Sequence, residues 1–102
     1  MRVLLAALLL AAAPAAAQQA DLNSGRWLAT QWCANCHQIT AQTGGPRNDS
    51  APSFAAIAAR PGATQAGIAT YVRVPHANMP DHGLTPRQAN DVAAFLLAQK
   101  PR

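Results

Sequence analysis

The pentapeptide Cys33-Ala34-Asn35-Cys36-His37 constrains this chain more than any other feature. Its two cysteines are the only ones present, and the second is followed directly by histidine. C-x-x-C-H is the attachment pattern of c-type haem. Each thiol adds across one vinyl group of the porphyrin to form a thioether, and two intervening residues let one turn of chain reach both vinyls. His37 then lies under the iron, where it supplies an axial nitrogen. A redox-active dithiol would need the alternating strands and helices of a thioredoxin-like domain. A zinc site drawn from Cys33, Cys36, His37 and His76 would leave Met79, and what staples so small a domain, without an explanation.

The first residues read as an export signal. Met1-Arg2 precedes an apolar run over 3–10, alanines up to Pro14, and Ala15-Ala16-Ala17-Gln18. A positive start, a short apolar core, a helix breaker and a small-x-small site describe a secretory signal peptide. Pro14 ends the run well short of the roughly 20 residues a spanning helix needs. Cleavage is expected after Ala17, with Ala20 as second choice, so 1–17 is leader and 18–102 is one mono-haem domain. The expected location is the periplasm, with no membrane span once the leader is gone. In an oxidising compartment two nearby thiols would ordinarily close into a disulfide, and haem attachment gives both another use.

Losing Arg2 takes the formal net charge from +4 to +3. The remaining basic residues are scattered, which excludes a nucleic-acid footprint. A domain this short usually needs a disulfide, metal or cofactor to hold it. With both cysteines committed, a buried haem is that staple.

The pattern is helical throughout. Leu22, Trp27, Leu28 and Trp32 alternate with polar residues to predict a helix over 22–31 running into the motif. Residues 38–52 turn to Thr, Gly, Pro, Asn, Asp and Ser, a loop composition. A short helix over 53–59 stops at Arg60-Pro61-Gly62, and Thr64 caps another through Tyr71 and Val72 that ends at Pro75. Residues 74–83 are irregular. Thr85, with Pro86 at the first helical position and Gln88 completing a capping box, opens a closing helix that carries one apolar stripe up to Lys100. No segment has the period-two pattern of a strand. The expectation is an all-α domain built around a ligand.

An iron held by His37 has one further axial position. Met79 is the methionine left after leader removal, and it stands between Asn78 and Pro80. Proline fixes the backbone beside it and excludes helix, which makes this a poor core position and a good ligand loop. Met79 is therefore the expected distal ligand, with His76 as rival and His82 as a weaker one. Thioether ligation stabilises Fe(II) and raises the reduction potential.

Taken together, these residues resemble the small soluble class I cytochromes c of bacteria over nearly all of 18–102. Gly25, eight residues before Cys33, looks like that family's helix-contact residue. Pro52-Ser53-Phe54 resembles its Pro-x-apolar segment, Met79-Pro80 its distal ligand loop, and Leu84-Thr85-Pro86 leading to Val92-Ala93-Ala94-Phe95-Leu96 its closing helix. The resemblance implies a small cytochrome c fold, three to four helices around one covalently bound haem c. It implies that the Pro52 carbonyl accepts a hydrogen bond from the second ring nitrogen of His37, with Gly44-Gly45-Pro46 as the competing segment. Leu28, Phe54, Val92 and Leu96 would line the pocket or the helix crossing. Two departures stand out. Ala29 occupies the place of a crossing aromatic, leaving Trp27 and Trp32 to fill the contact or cover the haem edge. No propionate-binding aromatic is evident, and Tyr71, Arg73 and His76 are candidates for that role.

The function implied is one-electron transfer without enzymatic turnover, with redox proteins met by transient contact. The alternatives are a haem subunit of a periplasmic dehydrogenase or reductase, and a haem enzyme or gas sensor whose distal ligand is labile.

Overall fold

The computed structural model describes residues 19–44 and 51–102. The leader expected over 1–17 and the competing Pro46 lie outside them. The described residues form four α-helices and no strand: α1 (Leu22–Leu28), α2 (Phe54–Ala58), α3 (Gln65–Val72) and α4 (Pro86–Leu97). A single π-helical turn, Ala29–Cys33, continues α1. The architecture is all-α, as the sequence leads one to expect.

Each helix starts on a side chain that accepts from its first-turn N–H groups. Asp21 accepts from the Asn23 and Ser24 amides, Ser53 from Ala56, Thr64 from Gly67. Thr85 and Gln88 close the expected capping box at α4, with Pro86 in the first turn. The helix predicted over 22–31 differs in one respect. It runs on to Cys33, but widens after Leu28, so that Ala34 N–H bonds back to the Ala29 carbonyl at 2.9 Å. The extra residue in that turn rotates everything after it about the helix axis. Cys33 turns into the core, and Trp32 turns to the cleft described below.

α1 and α4 cross at Gly25. A Cβ there would lie 2.0 Å from the Asp91 carbonyl oxygen and 2.9 Å from the Phe95 Cβ, so only glycine permits the approach. Asp91 is buried at 4% exposure, and its Oδ1 accepts the Asp21 N–H at 2.8 Å. That bond fastens the start of α1 to α4 and satisfies a carboxylate that would otherwise be costly to bury. Ala29, fully buried, lies in the core that Phe95 and Leu96 complete. Trp27 does not fill the crossing, since it is 62% exposed.

Candidate functional site

The motif is a compact turn. Cys36 and His37 both donate their N–H to the Cys33 carbonyl, at 3.1 and 2.8 Å, which sets the two sulfurs and the imidazole close in sequence and space. Phe54 N–H bonds to the Gln38 carbonyl at 2.9 Å and draws the start of α2 against the motif. The His37 Nδ1–H then donates to the Pro52 carbonyl at 2.6 Å. This fixes the ring's tautomer and orientation and raises the basicity of its other nitrogen. Phe54 packs on the same ring at a centroid distance of 5.8 Å and meets Phe95 edge-on at 6.2 Å.

Beside the motif lies a cleft with two lobes, of about 300 Å³ and about 260 Å³. Six residues line both: Cys33, His37, Pro52, His76, Ala77 and Met79. The first lobe adds Trp32, Cys36, Pro80 and His82. The second adds Phe54, Ile57, Ile68, Val72, Val92 and Leu96, with Arg60 and Tyr71 among them. Together the lobes are of the size that accommodates a cofactor. The four residues singled out in the sequence as haem contacts, Cys33, Cys36, His37 and Met79, all face this one cleft.

Met79 sits at the end of a four-residue turn. Its N–H donates to the His76 carbonyl at 3.0 Å, and Ala77 inside the turn has φ +45°. A side-chain-bearing residue in that region costs about 1–3 kcal/mol, so the surroundings must hold the turn. His76 donates from Nδ1 to the Val74 carbonyl at 2.7 Å and stacks on Tyr71 at 3.9 Å. His82 lies against Trp32 at 5.5 Å.

The donor chemistry fits a covalently held porphyrin. Burial pushes the Cys33 thiol up to about 11, so at neutral pH it is a proton-bearing group in an apolar core and a poor nucleophile. As a thioether sulfur it carries no ionisable proton, and that environment suits it. No group of three or more His, Cys, Asp or Glu side chains placed to hold a metal ion occurs among the described residues.

One expectation needs correction and one residue was missed. Of the residues expected at the pocket or the helix crossing, Phe54, Val92 and Leu96 line the cleft, and Leu28 is buried on α1, the helix that crosses α4. Arg73 turns away, its Nε donating to the Leu84 carbonyl at 3.3 Å. Arg60 takes its place as the residue of fixed charge among the described lining residues. Its position beside Pro61-Gly62 marked it only as a helix stop.

Residues 20–96 match the family described as cytochrome c oxidase, cbb3-type, subunit III. The chain is also 34% identical over 94 residues to cytochrome c-552 of Bradyrhizobium diazoefficiens, covering 92% of this chain and 89% of that one. No solved structure is significantly similar to it. The chain belongs to the small class I c-type cytochromes of the cbb3 subunit III family, electron carriers with covalently bound haem c.

Proposed function

We propose that the protein is a periplasmic one-electron carrier holding a single haem, attached through Cys33 and Cys36 and ligated axially by His37 and Met79. When bound, that group supplies a reversible Fe(III)/Fe(II) couple. The observation that carries the reading is the meeting of His37 and Met79 in one cleft with both cysteines. With both axial donors supplied by the chain, no position is left for a substrate, which is why electron transfer without enzymatic turnover follows.

The remaining residues serve that couple. Pro52 orients the His37 imidazole through its carbonyl. The apolar wall of Phe54, Ile57, Ile68, Val72, Val92 and Leu96 excludes water from one lobe. Arg60 offers a guanidinium to a haem carboxylate, a pairing whose geometry favours two parallel hydrogen bonds. Residues 1–17 direct export and are removed, leaving 18–102 as the working domain. No described helix is long and apolar enough to cross a membrane. Redox partners meet the exposed edge through small, transient contacts.

Carbon monoxide tests the reading. The reduced protein at neutral pH keeps its spectrum under the gas if Met79 fills the distal position, and a rapid change to a carbonyl spectrum would favour a sensor or enzyme. A second reading, a haem subunit of a larger complex, draws on the oxidase subunit III description of the matched family. Purification of the native protein separates the two: a free carrier elutes alone at the size of one domain.

A further inference from the structure

The loop that carries Met79 is gripped on both sides by a histidine lying against an aromatic ring from another element. His76, at the start of the turn, stacks on Tyr71 of α3 with centroids 3.9 Å apart and planes inclined by 25°. His82, three residues past Met79, lies against Trp32 of the π-helical turn at 5.5 Å and 31°. One contact belongs to each lobe of the cleft: Tyr71 lines the second and Trp32 the first, while Met79 lines both. Between the two contacts lies Ala77 with its positive φ.

We propose that these two aromatic–histidine contacts form a paired clamp that positions Met79, with Tyr71, Trp32 and His82 as positioning residues. The inference rests on the reading of Met79 as distal ligand. A strained turn left alone relaxes, and relaxation carries the sulfur off target. Tyr71 lies outside the buried core cluster, as does Trp32, and each sets a ring against a histidine of the ligand loop. Trp32 reaches its place because the π-helical turn redirects it. His76 is locked for its stack by the bond from Nδ1 to the Val74 carbonyl. The clamp thereby sets how readily an outside ligand displaces Met79, and it gives His76 and His82 a role other than iron ligation.

The experiment titrates the ferric holoprotein with imidazole and follows loss of the red-region sulfur-to-iron charge-transfer band. Tyr71→Ala, Trp32→Ala and His82→Ala are each compared with wild type, and Tyr71→Phe and Trp32→Phe serve as conservative variants. An aromatic contact of this kind predicts imidazole binding tighter by about three- to tenfold in each Ala variant. The Phe variants return to near wild-type affinity. The Tyr71→Ala/Trp32→Ala double variant combines the two effects, since the contacts lie on different sides of the loop. Wild-type affinity in Ala variants that keep wild-type helix content overturns the clamp. So does failure of both Phe variants to restore affinity. Absence of the band from wild type overturns the Met79 reading itself, and is thus distinguishable from failure of the clamp alone.

Discussion

Arg60 shows what a residue's chemistry does and does not reveal before the chain is folded. Cys33, Cys36, His37 and Met79 stand out in the sequence because paired thiols, an adjacent imidazole and a methionine beside Pro80 are unusual donors at informative spacings, and the structure brings all four to one cleft. Arginine carries no such signal, and Arg60 beside Pro61-Gly62 reads only as the end of a helix. Its position on the cleft depends on how α2 packs. Replacing it should lower the midpoint potential, because removing a nearby positive charge disfavours the more electron-rich state. Potentiometry of Arg60→Gln is expected to show a decrease on the order of tens of millivolts, with no loss of haem. Arg73→Gln, whose guanidinium bonds to the Leu84 carbonyl instead, should leave the potential close to wild type. The tryptophans were ambiguous for a similar reason. Nothing local distinguishes Trp27 from Trp32, and the choice is made by the widened turn between them.

Among the elements, the closing helix was the most legible, since its cap, first-turn proline and apolar stripe are all local signals. The π-helical turn was not, because Ala29-Thr30-Gln31-Trp32-Cys33 has no composition that separates it from α-helix. Asp91 was also hidden. It sits in a polar-looking stretch, and the N–H that justifies its burial is 70 residues away. The crossing of α1 and α4 was anticipated at Gly25, and its tightness makes a direct test. Gly25→Ala places a methyl group into the Asp91 carbonyl, with backbone on both sides and little room to yield. Overpacking of this sort is expected to destabilise the holoprotein by about 1–3 kcal/mol. Guanidinium denaturation should show a lower midpoint with an unchanged slope, and a midpoint equal to wild type would mean that the helices separate at little cost.

For the molecule as a whole, the core is thin. Of the eleven buried hydrophobic residues among those described, four are alanines, and Val92 is the largest of their side chains that is essentially inaccessible. The motif shares one small core with α2 and α4 through Cys33, Phe54 and Phe95, whereas the Met79 loop faces α3 and α4 across the cleft. On the proposed reading a covalently held ring fills that space and ties the segments together, which is how small domains often reach stability. The Cys33→Ser/Cys36→Ser double variant should therefore lose most of its helical circular dichroism along with its haem. Retention of native helix content in that variant would show that the polypeptide packs without the cofactor. The same organisation decides the function, because a ring held on both faces by the chain passes electrons, whereas one with an open face also binds ligands.

That distinction turns on Met79. The absorption spectrum of the ferric Met79→Ala holoprotein, set beside those of wild type, His76→Ala and His82→Ala, tests it most directly. The sulfur-to-iron charge-transfer band should be present in wild type and in both histidine variants, and gone from Met79→Ala. A band that survives in Met79→Ala, or is missing from wild type, would contradict the account.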